Sequence, residues 1–497
     1  MAASRLSRRM SAEDAWFLYF EKPHAPLHIG SVAIFEDDIP ADDLRASMSA
    51  RMHLIPRYRQ RAIVPALYAA HPAWEDDPDF HIDRHVHEVR LPEPGTEAQL
   101  RAAAATIFAP MLPRDRPLWD ITVVRGLEGG RTAYVSRVHH CLVDGVSGIE
   151  LLLAVLDLVP NPEPPKPPDE AWDPRRLPGA LEAWAEAMFD QWMQGMRAWT
   201  RWQQDALDAR AQMRRAAGLA RALEIAMPLA LRQPHRAPWN KPISGERAVA
   251  WTDMSFREVR GIRSALGGTV NDVMLAVLGG ALGRELREQG VATEDLTLRV
   301  QIPVNVRSED EKGALGNRVS MMLPEIPVWP MTPEERLRAV REEMERLKAD
   351  AQASAFEQLL ELSENLPAAW HALAGMGGVP QGALNLVCTN VPGPLIPLYS
   401  VGRRMLAHYP LVPLAGDLGI GIGITSFDQG LYFAVMCDPR ALPDPGRVAG
   451  FVANEFRALR AAAGVQQTDL PEIGSVPPHL RANGSASPAT QAATPAA

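Results

Sequence analysis

Val138-His139-His140-Cys141-Leu142-Val143-Asp144-Gly145 closes an alternating run, residues 132–140, and precedes an apolar run, residues 148–158. The first reads as a strand and the second as a buried helix. Side chains alternate in direction along a strand, so only one of His139 and His140 can look into a given cavity. A neutral imidazole is a suitable base for a hydroxyl or amine near pH 7. Asp144 stands where a carboxylate can fix the turn or the imidazole through charge-assisted hydrogen bonds. Gly145 lets the chain turn tightly into the helix. A bare His-His pair before Asp-Gly reads as a surface feature; the whole constellation reads as a site.

Working outward, His28–Phe35 reads as a strand and residues 41–54 as a helix. Six prolines between Pro160 and Pro168 make a stiff connector and mark a boundary. Residues 177–231 are helical in pattern. A mixed pattern then resumes, with strands expected at 248–254, 296–304, 319–323, 384–389, 419–426 and 431–437. Helices are expected at 256–266, 273–289, 333–347 and 444–461. The prediction is an α/β (α+β) protein: an N-terminal half over residues 1–168, a helical connector over 169–240, a C-terminal half over 241–465, and a Pro/Ala/Ser/Thr-rich tail over 466–497, expected to be disordered.

The chain has 497 residues, more than one core usually organises. Its 60 acidic and 51 basic side chains give a net charge of −9, which argues against a nucleic-acid partner. Cys141, Cys388 and Cys437 are odd in number and far apart, which fits a reducing compartment. Residues 1–14 do not read as a secretory signal, and no apolar run reaches the ~18 residues of a membrane span. The expected location is cytoplasmic.

His139-His140-x-x-x-Asp144-Gly145 resembles the HHxxxDG motif of the coenzyme A-dependent acyltransferases. Further blocks narrow the resemblance to the bacterial wax ester synthase/diacylglycerol acyltransferase family. Ser11-Ala-Glu-Asp14 resembles that family's opening, Pro117-Leu118-Trp119 its PLW motif and Asn271-Asp272 its ND motif. Pro303-Val-Asn-Val-Arg307, Gly316-Asn317-Arg318, Thr389-Asn390, Tyr409-Pro410 and Ser426-Phe427 are similar to others, with Phe427 where Tyr is expected. The resemblance implies two chloramphenicol acetyltransferase-like halves with the active site in the channel between them. It implies acyl-CoA as co-substrate, no further cofactor, and diacylglycerol or a long-chain fatty alcohol as acceptor in triacylglycerol or wax ester biosynthesis. It makes His140 the base, His139 and Asp144 supporting residues, and leaves no covalent acyl-enzyme. Cys141 is expected to pack in the core. Asn271 is either a polar stabiliser of the oxyanion or an N-cap for the following helix. Two other readings remain at this level: a condensation-type transferase acting on a carrier thioester, and a lipid-body protein without catalysis.

Three other patterns read as structural. Gly419-Ile-Gly-Ile-Gly423 lacks the last glycine of a dinucleotide fingerprint and fits a strand approached closely on its glycine face. His81, Asp83, His85 and His87 would share one face of a strand, here read as solvated and not as a metal site. Arg214-Arg215 reads as a solvated helix face. Finally, Trp184, Met188, Trp192, Met196 and Trp199 fall on one helical face flanked by Arg197, Arg201 and Arg210. That stripe either clamps the two halves together or lies on a membrane or lipid-droplet surface, where the protein would associate peripherally.

Overall fold

A computed structural model of the chain describes residues 8–142, 155–168, 171–206, 209–305, 319–350, 352, 354–358, 366–377 and 382–468. In the N-terminal half, α1 (Ala12–Phe20) begins where the Ser11 hydroxyl accepts the Asp14 N–H at 3.0 Å. It is followed by β1 (His28–Phe35), α2 (Ala41–Arg51), the hairpin β2 (Gln60–Ile63) and β3 (Ala73–Asp76), then β4 (Val86–Arg90). A Thr96–Gln99 capping box opens α3 (Glu97–Phe108), ahead of β5 (Trp119–Arg125) and β6 (Thr132–His139). The helix expected over 41–54 tightens at Met52 into a 3-10 turn ahead of Pro56, whose ring excludes the α conformation from the residue before it.

Two helices follow the proline connector: α4 (Ala180–Ala206) and α5 (Ala209–Leu231). Next come β7 (Ala248–Ser255), α6 (Phe256–Leu266), α7 (Val270–Glu288), β8 (Thr297–Asn305), β9 (Val319–Met322) and β10 (Glu325–Pro327). The chain continues with α8 (Pro333–Ala349), α9 (Ala368–Gly377), β11 (Leu386–Val391), β12 (Tyr399–Ser400) and β13 (Arg403–Leu411). It closes with β14 (Ile420–Phe427), β15 (Gly430–Cys437) and α10 (Pro445–Ala462). The expected helix over 148–158 lies mostly outside the described residues, as do Arg307 and residues 316–318. At its described end, Asp157 forms a bridge with Tyr399.

These elements build two large sheets, each with its own core, beside the two-stranded β2–β3 hairpin. The second runs β10-β8-β11-β14-β15-β7, with β9 beside β8. Helix α7, apolar from Val273 to Gly283, is buried between this sheet and α8 and α10. The first sheet runs β12-β13-β1-β6-β5-β4, so residues 399–411 leave the C-terminal half to pair with the N-terminal one. Strand β13 lies antiparallel beside β1, Leu411 opposite Gly30. The glycine face read in β14 is what lets the sheets meet: a Cβ on Gly423 would sit 2.6 Å from the Pro410 carbonyl, and one on Gly421 2.6 Å from the Val412 side chain. Their isoleucine neighbours Ile420, Ile422 and Ile424 point into the second core.

The 81–87 reading is corrected. Residues 82–84 form a 3-10 turn and β4 starts only at Val86, so the four side chains do not line one strand face. His85 is buried, with its ring stacked 4.5 Å from Trp119. Among the described residues no group of three or more His, Cys, Asp or Glu is arranged to hold a metal ion. No single described helix is long and apolar enough to cross a membrane. All three cysteines are buried and free.

Candidate active site

Strand β6 ends at His139, one residue earlier than the sequence suggests, and the chain tightens into a 3-10 turn over His140–Leu142. Two main-chain bonds fix that change of course. His139 N–H donates to the Leu118 carbonyl at 2.9 Å, and His140 N–H to the Leu27 carbonyl at 3.0 Å. The two imidazoles still diverge, because the turn and not strand alternation separates them.

Pro117-Leu118-Trp119 supplies the first of those anchors. Trp119 faces Val138 across β5 and β6, its indole N–H donates to the Tyr58 carbonyl at 2.8 Å, and its own carbonyl accepts from His85 Nδ1 at 2.8 Å. The motif holds the strand end that carries His139; it makes no described contact with the His140 ring.

His139 is fully buried. Its Nδ1 accepts the Cys141 N–H at 3.2 Å and lies 3.0 Å from the Cys141 sulfur, which assigns the proton to Nε2. Nε2 is 3.3 Å from Glu21 Oε1, off the line of a well-formed hydrogen bond. Burial lowers the pKa of His139, against the pull of Glu21, so the ring is neutral. Cys141 is turned to His139 and burial raises its thiol pKa; it is a packed neutral thiol, as expected.

Glu21 is the acidic partner the sequence did not disclose. It leaves the C-terminus of α1 with a fully buried side chain, accepts the Leu27 N–H at 2.8 Å and pairs with Arg114. Burial works against its carboxylate, but His139, Arg114 and the Leu27 N–H outweigh it and hold the pKa below the ordinary carboxylate value. One buried carboxylate thus ties together α1, the start of β1, the loop before β5 and the end of β6.

On the same face of β6 as His139, Arg137 forms a bidentate pair with Asp120 (Nε–Oδ1 2.9 Å, Nη2–Oδ2 2.5 Å) and donates to the Pro110 carbonyl at 2.8 Å. Across β1, His28 faces His139, with Nε2 2.8 Å from the Phe108 carbonyl. Burial first, then Arg137, lowers its pKa to about 3. These residues also went unread. The visible signal was position alone: Asp120 follows the PLW motif directly, and Arg137 stands two residues before His139.

The His140 ring stacks on Phe17 of α1, centroids 3.7 Å apart and planes within 10°. Nδ1 is buried without a partner among the described residues, and the residue as a whole is part-exposed. Burial, then the neighbouring His139, lowers its pKa to about 4. The ring is neutral and stacked on one face by Phe17. Helix α1, which carries Phe17, also packs against α9 of the C-terminal half.

Asp144 and Gly145 lie outside the described residues. Asn271 and Asp272 lie on α7, and no described contact brings them to the histidines. The N-cap reading of Asn271 is corrected: Thr269 caps the helix, accepting the Asp272 N–H at 3.2 Å, while Asp272 accepts the Thr269 N–H at 2.7 Å. Phe427 is fully buried.

Comparison with known proteins bears on the whole chain. The family description "wax ester synthase/diacylglycerol acyltransferase catalytic domain" matches residues 10–274, and "WS/DGAT C-terminal domain" matches residues 315–460. A probable diacylglycerol O-acyltransferase of Mycobacterium tuberculosis is 31% identical over 469 residues, 90% of this chain and 95% of that protein. Among solved structures, a wax ester synthase/diacylglycerol acyltransferase from Marinobacter aquaeolei shares the fold at a TM-score of 0.65 and 23% identity. It covers 92% of this chain and 100% of that one. A mutant starter condensation domain of rhizomide synthetase, in complex with C8-CoA and Leu-SNAC, gives a TM-score of 0.54 at 15% identity, covering 92% and 94%. The predicted pair of chloramphenicol acetyltransferase-like halves is the fold observed, and the chain belongs to the wax ester synthase/diacylglycerol acyltransferase family, acyltransferases of triacylglycerol and wax ester biosynthesis.

Proposed function

We propose that the protein transfers a long-chain acyl group from acyl-CoA to the hydroxyl of diacylglycerol or of a long-chain alcohol, with His140 as general base. The observation that carries this reading is the His140 ring: neutral and stacked on Phe17 in a part-exposed residue, beside a second histidine fully buried against Glu21. With a pKa of about 4, His140 is a weaker base than free imidazole. It therefore takes the alcohol proton as the oxygen–carbon bond forms, when that proton becomes acidic, and not in advance. The tetrahedral intermediate collapses with cleavage of the carbon–sulfur bond, and the proton held by His140 passes to the departing CoA thiolate. The products are an ester and free CoA thiol, with no acyl-enzyme. His139 acts through position: its contacts with Cys141 and Glu21 fix where the following turn begins. The acceptor is barely soluble in water, so the enzyme collects it from a membrane or lipid-droplet surface as a peripheral protein.

Thiol release from palmitoyl-CoA tests the proposal, with diacylglycerol, hexadecanol and a short alcohol offered in turn. Release that depends on the acceptor, and an ester product of matching mass, are the expected results. Release without acceptor, or none with any of the three, would remove the reading.

A further inference from the structure

Helix α9 turns Ala368, His371, Ala372 and Gly375 inward against α1, so closely that a Cβ on Gly375 would sit 2.6 Å from the Tyr19 carbonyl. Its other side bears Trp370, Leu373 and Met376, three residues apart, and exposed Leu366 precedes the helix by two residues. Trp370, Leu373 and Met376 are each more than 60% exposed. Next to it, the turn Ala66–Tyr68 touches both α9 and α4 and holds Leu67 outward, 87% exposed. Beyond that turn runs the α4 stripe, whose Trp184, Met188, Trp192, Met196 and Trp199 are all exposed, so the stripe does not clamp the halves together. A continuous apolar face of this kind on a folded chain marks an interaction surface.

We infer that α9, the Leu67 turn and the α4 stripe form one docking face for a phospholipid bilayer, and that the acceptor lipid leaves that bilayer beside α1. This rests on the reading that the acceptor is a lipid. One observation chooses the bilayer. The face is continuous with the site, since α1 lies under α9, exposes Trp16 on its surface and carries Phe17 against His140. Exposed tryptophan on an amphipathic helix is what the interfacial layer of a bilayer takes up.

The test uses the full chain and two variants, Trp370→Gln/Leu373→Gln/Met376→Gln on α9 and Trp192→Gln/Trp199→Gln on α4. Vesicles of phosphatidylcholine alone, or with a quarter phosphatidylglycerol, are the probes. The parent should co-sediment with both kinds of vesicle. Each variant should lose at least tenfold in binding, keep its melting temperature and keep its turnover on a short soluble alcohol. The α9 variant should also show a KM for vesicle-borne diacylglycerol raised about tenfold. Hydrogen exchange on the parent gives an answer independent of the variants, with residues 366–377 slowed by vesicles. Unchanged exchange there, full vesicle binding by the α9 variant, or a parent dimer that the same variant converts to monomer would each overturn the inference. If the parent released no thiol with any alcohol yet vesicles still protected α9, the docking face would stand and the proposed reaction would fall.

Discussion

Replacing Glu21 with alanine removes the acceptor of the Leu27 N–H at 2.8 Å and the carboxylate beside His139 Nε2 and Arg114. The Leu27 donor is buried, and orphaning it costs about 1–3 kcal/mol. His139 Nε2, 3.3 Å away and off the hydrogen-bond line, loses only a nearby charge, and Arg114, about a third exposed, returns to solvent at little cost. The sum is about 1–3 kcal/mol, a sizeable share of the 5–15 kcal/mol that ordinarily separates folded from unfolded chains. Glu21→Gln keeps an acceptor for Leu27 and loses only the charge, so about 1–2 kcal/mol is expected. Urea unfolding gives both numbers at pH 7. The pH dependence is a further check. The pKa of Glu21 falls from 4.5 to about 2 on folding, so its stabilisation is complete above pH 4.5 and is lost as pH falls through 2. The gap between parent and Glu21→Gln should therefore be flat above pH 4.5 and narrow below it. Because Glu21 also sets where the His139–His140 turn begins, Glu21→Gln should lower kcat with little change in KM for acyl-CoA. An alanine variant within 1 kcal/mol of the parent and equally active would refute this account of the site.

His140→Ala should leave the melting temperature within a few degrees and cut turnover about 10²–10⁴-fold; an active variant would show that another group takes the proton. Six histidines have lowered pKa values, His139 among them, His28 to about 3 and His71, His85, His140 and His408 to about 4, with burial as the first cause in each. Between pH 6.5 and 4 the unfolded chain binds more protons than the native one, so stability should fall with acidification by up to about 1.4 kcal/mol per pH unit for each histidine. A denaturation midpoint that stays flat across that window would contradict their burial as neutral rings. Gly423→Ala places a Cβ 2.6 Å from the Pro410 carbonyl and should loosen the seam between the sheets, read as faster exchange in 403–411 before the rest of the fold. Asp144→Asn should lower the melting temperature; unchanged melting with turnover as low as in His140→Ala would place Asp144 in the proton path.

Local pattern was enough for most elements, because alternation and 3.6-residue periodicity are properties of the chain itself. The predicted strand His28–Phe35 and the predicted helix over 256–266 are observed with those bounds. The glycine face of β14 was legible for the same reason: glycines at every second position of a strand can only serve close approach. The histidine motif and PLW were legible as residues, though not PLW's part in holding the end of β6. What the sequence withheld is everything that depends on a partner distant in the chain. Strand β13 alternates as residues of either sheet could, and only its pairing with β1 carries it across to the first sheet. Glu21 stands 118 residues from His139, and no spacing rule links a helix C-terminus to a strand end so far away. Asn271 and Thr269 are both good caps by type; the observed backbone made Thr269 the cap. The apolar stripe of α4 has the same period whether it packs inward or faces out. Its exposure was decided by which other surfaces the two halves had already used to bury themselves, a property of the assembled cores that no single helix encodes.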